Sequence, residues 1–302
     1  MDKRKRGFRG SIPLLIVEIC VLIIAIGVMY VVVTMTGEVN HKDIDEGKIR
    51  INEEIVRKKT IDVKQTEKKE EEKKKGYRNI ALFGVDARDG ELGRGTRSDT
   101  IMIASINQDT QEIKLVSVFR DTYLNLSNDS YNKCNTAYAQ GGPEQAINML
   151  NMNMDLDITD YVTIGFSGLI DAVDALGGVE IEVTDSEISH LNNYQLCMAE
   201  ELGVDYIPVE QSGRQLLNGM QATAYCRIRY TKGDDFRRAE RQRDVLRAMM
   251  DKASGASVST LTDMVNAVLP QVETSLNVNE ILSVLGSVAG YNMVESDGFP
   301  FE

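Results

Sequence analysis

The sequence predicts an α/β domain in which helices cover both sides of a mixed, partly antiparallel central sheet, giving α-β-α layers, with one transmembrane helix in front of it. Short apolar runs typical of buried strands lie at residues 80–85, 100–106 and 113–118. Further on, strand patterns at 160–165 and 179–183 alternate with helical patterns at 141–151 and 167–176. Such alternation is typical of layered α/β domains with a mixed sheet.

The transmembrane helix is predicted from an apolar run at residues 14–35. As a helix the run is roughly 33 Å long, enough to cross a bilayer. Five basic residues precede it, so residues 1–13 are expected to be a cytoplasmic tail. Because no small-x-small cleavage site follows, we expect an uncleaved signal anchor in the cell membrane rather than a signal peptide, with the remaining chain extracellular.

Residues 36–76 are strongly charged and read as an extracytoplasmic spacer. The domain of interest then covers residues 77–302, which is long enough for one sizeable core. Two more helices are expected at 258–269 and 278–289. No capping element is recognisable after them, so continuation of the natural chain beyond residue 302 is left open.

Charged residues follow or precede the first three predicted strands. If these strands form an antiparallel meander, one sheet edge gathers Asp86, Arg97, Asp99, Arg120 and Asp121. Carboxylates at adjacent strand ends suit Mg²⁺, a hard cation that prefers oxygen ligands. The alternative is that Asp86 and Asp99 cap turns or pair with Arg88 and Arg97.

A second cationic feature is the segment 227–243, which holds six arginines in a chain of net charge −12. Guanidinium groups bind phosphate oxygens two at a time, so this segment predicts an anion site. The spacing of Arg227 and Arg229 brings them to one face if residues 225–229 are extended. A solvated helix face paired with Glu240 and Asp244 is the competing interpretation.

After this segment, a helix is predicted from residue 234 to about 253. Arg238, Gln242, Val245 and Met249 share one of its faces, and Arg241 lies beside that face. The polar first half of the face is expected to line a site, and the apolar second half to pack.

Several function classes are excluded by composition. With only two histidines, the chain offers no His-rich zinc site and little basis for a Ser/His/Asp triad. The acidic net charge and the absence of tryptophan argue against a nucleic-acid surface. The disulfide state of Cys134, Cys197 and Cys226 is left open because no CxxC spacing occurs.

In order along the chain, five motifs resemble those of the LytR-CpsA-Psr family of cell-wall enzymes. They are GVD at 84–86, RSD at 97–99, SVFRDT at 117–122, GGV at 177–179, and RIR at 227–229 followed by Asp235, Arg241 and Gln242. Phe119 stands where many members carry proline, which is expected to alter the loop before Arg120 more than the chemistry. The resemblance implies a membrane-anchored, Mg²⁺-dependent transferase of cell-wall biogenesis, with Mn²⁺ as a substitute.

Such an enzyme would move teichoic acid, capsular polysaccharide or a similar glycopolymer from a polyprenyl-pyrophosphate carrier to peptidoglycan. By resemblance, Asp86 and Asp99 are the metal ligands. The residues implied in pyrophosphate binding are Arg97, Arg120, Arg227, Arg229, Arg238, Arg241 and Gln242. Those implied in catalysis are Asp86, Asp99, Arg120, Asp121, Arg227 and Arg229.

The sequence leaves some alternatives open. Either Asp86 or Asp121 is the base that accepts the proton of the attacking hydroxyl. An apolar trough for the carrier is expected between the sheet and the helices at 142–154 and 166–176, although the same side chains would also serve a closed core.

A pyrophosphatase acting on the same lipid and a non-catalytic lipid-binding sensor or transcriptional attenuator are the competing functions. The polymer, the acceptor sugar and the oligomeric state are not specified.

Overall fold

The computed structural model describes residues 40–56, 76–87, 92–229, 231 and 233–301. The predicted tail, the predicted signal anchor and most of the predicted spacer lie outside these ranges. Within them, no helix has the length and apolar character that a bilayer crossing requires.

The strands of this part of the chain are introduced in chain order. They are β1 (Asn40–His41), β2 (Tyr77–Val85), β3 (Ser98–Asn107), β4 (Glu112–Val118), β5 (Tyr123–Asn125), β6 (Tyr131–Lys133), β7 (Asp160–Ile164), β8 (Val179–Val183), β9 (Gly213–Leu217), β10 (Val272–Thr274) and β11 (Asn292–Phe299). The helices are α1 (Asn135–Met154), α2 (Phe166–Ala175), α3 (Asp185–Leu202), α4 (Gly219–Arg227), α5 (Asp234–Ser254), α6 (Val258–Val268) and α7 (Val278–Ser287).

The main sheet is mixed, with the strand order β1-β10-β7-β2-β3-β4-β11. β2, β3 and β4 pair antiparallel as consecutive neighbours, which confirms the predicted meander. β7 runs parallel to β2, and β11 runs parallel to β4. The carboxyl ends of β2, β4 and β7 therefore meet at one edge, the edge at which β3 begins.

Helices lie on both faces of this sheet. On one face, Phe83 and Ile101 pack in a fully buried core with Tyr138 and Met149 of α1. On the other face, Met102 and Leu115 lie with Leu246 of α5. Alternation along the strands sends successive side chains to opposite faces, so each strand contributes to both cores. The predicted mixed-sheet α/β fold is thereby confirmed for the described residues.

The prediction of an extended segment at 225–229 was wrong. Tyr225 and Arg227 belong to α4, whose first turn is stabilised by a reciprocal capping box between Asn218 and Gln221. Such a box satisfies two backbone N–H groups at the helix start, and this local stabilisation outweighs the strand-like spacing of the arginines. Only Ile228 and Arg229 lie beyond the helix end.

The helix predicted at 141–151 begins earlier, at Asn135. Gly142 interrupts it with φ 68° and ψ −158°, a conformation that favours glycine, and Pro143 restarts the helical course. The first half of α1 was missed because this Gly-Gly-Pro sequence is typical of a helix beginning.

Part of the predicted spacer packs on the domain. Asn40 and His41 pair with β10, and Ile44 and Ile49 contact the core around α1. The backbone N–H of Arg50 donates to the Asn148 side chain over 2.7 Å. Because these isoleucines are apolar residues in an otherwise charged segment, their burial gives residues 40–52 a fixed place on the domain.

Candidate functional site

Five charged residues form a cluster at the sheet edge where β2, β4 and β7 end. We call it the arginine–aspartate cluster; its members are Asp99, Arg120, Arg229, Asp235 and Arg238. Arg120 Nη1 donates to Asp99 Oδ1 over 2.6 Å, and Arg238 Nη2 lies 3.1 Å from Asp99 Oδ2. Asp235 Oδ1 accepts from Arg229 Nε over 3.1 Å and lies 3.9 Å from Arg120 Nε.

The backbone explains this gathering. Asp99 is the second residue of β3, and Arg120 follows the end of β4, so the antiparallel pairing brings them to the same edge. Asp235 and Arg238 lie three residues apart in the first turns of α5, which places both side chains on the helix face toward that edge. The first turns of α5 thus contribute Asp235 and Arg238 to the cluster at the strand ends.

Charge in the cluster shifts several pKa values. Burial alone would raise the pKa of Asp99, but the charges of Arg238 and Arg120 outweigh it, and the pKa lies below its usual value. Burial together with the neighbouring Arg120 and Arg229 charges lowers the pKa of Arg238 despite its contact with Asp99. The cluster contains three arginines and two aspartates, so it has an excess of positive charge that an anion would balance.

Two arginine nitrogens of the cluster are left without an acceptor among the residues that the structure describes. Arg120 Nε and Arg238 Nε are both buried, as is the equally unsatisfied Ser117 Oγ. All three residues line a small cavity of about 20 Å³, roughly the space of one water molecule. Buried donors without acceptors are costly, so the cluster favours binding of oxygen ligands.

A larger cavity of about 300 Å³ opens from the same cluster. It lies between the sheet and helices α2, α4, α5 and α6, and its walls are mostly aliphatic. Asp99, Arg238 and Gln242 line both this cavity and the small one, and Arg227 is a further charged residue of the larger cavity's lining. The aliphatic wall includes Leu82, Met102, Val162, Ile164, Leu169, Ala172, Val245, Leu246, Met249, Met264 and Val268.

This cavity partly matches the predicted trough. The helix predicted at 166–176 does line it, through Phe166, Leu169 and Ala172. The helix at 142–154 does not, because α1 lies on the opposite face of the sheet, where its Met and Leu side chains form a closed core. The predicted shared face of α5 is confirmed, since Arg238, Gln242, Val245 and Met249 all line the cavity.

Arg227 is held at the cavity by aromatic rings. Its guanidinium carbon lies 4.4 Å from the centre of the Phe166 ring and 5.5 Å from that of Tyr194. Ring faces attract cations without neutralising them, so Arg227 is positioned while its N–H groups keep their capacity for an anion. Neither aromatic residue was singled out from the sequence, and only their contact with Arg227 reveals them.

The structure does not bring every predicted binding residue to the cluster. Arg241 is buried on another side of α5, where its Nε donates to Glu187 over 2.7 Å and its Nη1 to the Ile228 carbonyl over 3.0 Å. This placement gives Arg241 buried structural contacts, and its predicted role in pyrophosphate binding stays a prediction. The sequence missed this because Glu187 is 54 residues away.

The remaining predicted residues lie around the cluster. Asp121 Oδ1 is 3.7 Å from Arg120 Nε, and its Oδ2 accepts from Lys133 over 2.8 Å. Asp86 directly follows β2, next to the Val85–Ser98 pairing that precedes Asp99. Arg97 is exposed before β3 and is not a member of the cluster. Asp235, to which the sequence pattern assigned no catalytic or binding role, joins three arginines of the cluster.

The donor set fits a hard divalent cation in its chemistry. Asp86 and Asp99 supply carboxylate oxygens at neighbouring positions of one sheet edge, the ligand type that Mg²⁺ takes together with phosphate oxygens and water. Within the described ranges, no group of three or more His, Cys, Asp or Glu residues could hold a metal by itself. A cation at this edge would therefore share Asp99 with Arg120 and Arg238, and would need ligand oxygens from a substrate.

Comparison with known proteins identifies the family of this chain. The LytR_cpsA_psr family model matches residues 40–300. The chain is 31% identical over 226 residues to the polyisoprenyl-teichoic acid–peptidoglycan teichoic acid transferase TagU of Oceanobacillus iheyensis, covering 72% of this chain and 65% of that one. It is 32% identical to TagU of Enterococcus faecalis over 210 residues, with 68% and 64% covered. The matches thus span slightly less than two thirds of these relatives.

Among solved structures, Bacillus subtilis TagT with bound octaprenyl pyrophosphate lipid is similar with a TM-score of 0.55. The similarity covers 76% of this chain and 80% of that one, at 22% identity, and shows a shared fold. The family match includes every strand and helix described above. The chain therefore belongs to the LytR-CpsA-Psr family.

Proposed function

We propose that the protein transfers a glycopolymer from a polyprenyl-pyrophosphate carrier to peptidoglycan through a new phosphodiester. The observation that carries this proposal is the aliphatic cavity of about 300 Å³ whose lining also includes Asp99, Arg227 and Arg238. A long apolar chain with a doubly anionic head group matches both parts of such a cavity. The names of the TagU relatives and the lipid held by TagT, a protein of the same fold, support this interpretation.

The chemistry required is positioning and charge stabilisation. An acceptor hydroxyl attacks the phosphorus that bears the glycopolymer, the bond from that phosphorus to the bridging oxygen breaks, and the carrier leaves as polyprenyl phosphate. Arg120, Arg227 and Arg238 are placed to stabilise the negative charge on the phosphate oxygens during this step. Gln242, which lines the same cavity, adds an uncharged side-chain amide.

The proton of the acceptor hydroxyl goes to a carboxylate at the cluster. Burial would raise the pKa of Asp121, but the Lys133 hydrogen bond and the Arg120 charge lower it, so this side chain is ionised at neutral pH and free of a proton. A lowered pKa also makes it a weak base. We keep both Asp86 and Asp121 as proposed proton acceptors, and Asp86 would fill this role only in a state in which it holds no metal ion, because a metal-bound carboxylate is a poor base.

We further propose that Asp86 and Asp99 hold Mg²⁺, or Mn²⁺ in its place, together with pyrophosphate oxygens. When bound, the ion would neutralise charge on the two phosphates. In that state Asp99 would still hold Arg120 or Arg238 in place, because the two arginines contact different carboxylate oxygens.

The site requires access to lipid, and this favours a membrane location. We propose a single-pass cell-membrane protein with a cytoplasmic N-terminus and an extracellular catalytic domain, on the basis of the apolar run at 14–35 and the basic residues before it.

A transfer assay tests the proposal. The full chain in detergent is given a labelled glycopolymer on polyprenyl pyrophosphate, with and without peptidoglycan strands. Label is expected in peptidoglycan, and Arg227→Ala is expected to lower the rate by about 10²-fold or more, the usual effect of removing one group that stabilises transition-state charge.

Arg214→Ala is the matched control, because Arg214 is an exposed arginine paired with Glu180 in the two-stranded β8–β9 sheet. Release of the polymer to water at the same rate with and without strands would instead identify a pyrophosphatase. Lipid binding without any bond cleavage would identify a sensor.

A further inference from the structure

An exposed pair of tyrosines lies beside the arginine–aspartate cluster and does not line the aliphatic cavity. Tyr123 is 69% exposed and Tyr131 59% exposed, and their ring centres are 6.1 Å apart with an interplanar angle of 25°. They belong to the two-stranded ribbon of β5 and β6. We call this pair the tyrosine platform.

The pairing of the ribbon places both rings on its outer face. Tyr123 is opposite Lys133, and Asn125 is opposite Tyr131, and directly opposite residues of an antiparallel pair point to the same side. The intervening Leu124 points to the other side and packs against the core around α1. The outer face is thus composed of two tyrosines, an asparagine and a lysine.

The ribbon is firmly attached to the segment that carries Arg120. The backbone N–H of Cys134 donates to the Thr122 carbonyl over 2.9 Å, and that of Asn135 to the Arg120 carbonyl over 3.1 Å. On the far side, Asn153 of α1 donates to the Asn125 carbonyl over 2.8 Å. The platform therefore has a fixed position relative to the cluster.

The outer face of the ribbon is also linked, through Lys133, to the Asp121 carboxylate beside the cluster. Lys133, which shares the outer face with Tyr123, donates to Asp121 Oδ2 over 2.8 Å, and Asp121 Oδ1 lies 3.7 Å from Arg120 Nε. A molecule lying along the tyrosines would extend toward Asp121 and then toward the arginines. Because neither Asp121 nor Arg120 lines the aliphatic cavity, this molecule would reach the cluster without passing through the cavity.

We propose that the tyrosine platform binds the acceptor glycan strand and directs one of its hydroxyl groups to the cluster. A sugar ring has an apolar C–H face and hydroxyl edges, which complement a tyrosine ring and its flanking polar groups. Tyrosine offers a large amphipathic contact surface at low conformational cost, which is why it is frequent in binding sites. The amide of Asn125 and the Lys133 ammonium supply hydrogen bonds to the edges.

The proposal rests on the transferase function for the identity of the glycan, but its binding test does not require transfer. The chain contains no tryptophan, so the full chain carrying Tyr131→Trp has a single tryptophan reporter. Peptide-free peptidoglycan glycan strands are added in detergent solution and tryptophan emission is followed. We expect a saturable change, and no change for Tyr77→Trp, a control at a 50% exposed tyrosine on β2.

A kinetic measurement separates binding from support of the ribbon. Replacing both tyrosines by serine is expected to raise the KM for acceptor strands about tenfold, equivalent to about 1.4 kcal/mol, while the KM for the lipid donor changes less than twofold. Equal changes in both KM values would indicate a general distortion of the site and overturn the proposal. No response of the Tyr131→Trp variant to glycan, or an equal response of the Tyr77→Trp variant, would also overturn it.

The two hypotheses fail in different ways. Saturable glycan binding by the Tyr131→Trp variant without any transfer by the unsubstituted chain would remove the proposed transferase function and leave the glycan site in place. Transfer that is insensitive to both tyrosines, with no glycan response, would remove the platform and leave the transferase function.

Discussion

Arg241 and Glu187 form a buried ion pair that includes none of the proposed catalytic groups. The two side chains are 1% and 2% exposed and 2.7 Å apart. Burial would raise the pKa of Glu187, but hydrogen bonds from Thr184 and Arg241 outweigh it and lower the pKa. Removing one partner leaves the other charged in a low-dielectric surrounding, which costs stability whatever the site binds.

Arg241→Met is therefore expected to lower the free energy of unfolding by about 3–5 kcal/mol, as measured by urea unfolding. Arg247→Met serves as the control, because Arg247 is an exposed arginine of the same helix. It should cost less than about 1 kcal/mol. Similar losses in both variants would contradict the structural role given to Arg241.

The pKa of Asp99 leads to a pH prediction. Because the folded-state value is lowered by Arg238 and Arg120 against the effect of burial, ionised Asp99 stabilises the fold. Its contribution is complete above the ordinary carboxyl pKa of about 4 and is lost as pH falls through the lowered folded value. Asp99→Asn should flatten the loss of stability below about pH 4.

Urea unfolding between about pH 3 and about pH 7 measures this effect. Glu187 also has a lowered pKa, so part of the acid sensitivity should persist in Asp99→Asn. If the Asp99→Asn variant loses stability below about pH 4 as steeply as the unsubstituted chain, the arginines do not hold Asp99 ionised.

At the level of elements, helix α2 forms one wall of the lipid cavity. Ala172 is 4% exposed and points into this cavity, where a larger side chain finds room. Ala172→Leu is expected to weaken binding of octaprenyl pyrophosphate at least tenfold while stability is unchanged or slightly increased, because filling a cavity adds buried apolar contacts. Calorimetric titration and thermal unfolding measure the two effects.

Ser167→Leu is the control, because Ser167 is an exposed residue of the same helix and does not line the cavity. Unchanged lipid affinity in Ala172→Leu, with a stability like that of the unsubstituted chain, would show that the cavity is part of the core and not a lipid site.

The elements also differ in how far the sequence predicts them. β2, β3 and β4 are apolar runs separated by turn residues, so local pattern is sufficient. α3 was missed because its sequence is largely polar and its burial depends on distant partners such as Val209, which bonds to Asn192. The alternating arginines of 225–229 predicted a strand, whereas the cap at Asn218 makes the helix. The face of α5 followed from 3.6-residue periodicity, but the partner of Arg241 did not.

For the whole molecule, the described chain from residue 40 forms one compact unit. Residues 40–52 contribute a β1–β10 pairing and two partly buried isoleucines, Ile44 and Ile49. Each partly buried isoleucine is worth about 1–2 kcal/mol. A chain beginning at Tyr77 should therefore have a melting temperature several degrees below that of a chain beginning at Asn40. Each kcal/mol of lost unfolding free energy lowers the melting temperature by about 2–4 °C.

Thermal unfolding of the two truncated chains gives this comparison, with Ile44→Ala and Ile49→Ala in the longer chain as finer probes. Ile51→Ala is a control at a neighbouring position that is not among the core contacts. Identical melting temperatures for the two truncated chains would mean that residues 40–52 are a spacer after all.

The measurement that bears most directly on the proposed function is the affinity of the full chain for three ligands: octaprenyl pyrophosphate, octaprenol and inorganic pyrophosphate. If one cavity holds the isoprenoid chain and the arginines hold the pyrophosphate head group, the complete lipid should bind at least about 10²-fold more tightly than octaprenol or pyrophosphate alone. Arg238→Met should reduce the affinity for the complete lipid to that for octaprenol. Equal affinity for pyrophosphate and for the complete lipid, or an affinity indifferent to Arg238, would contradict a shared lipid and pyrophosphate site.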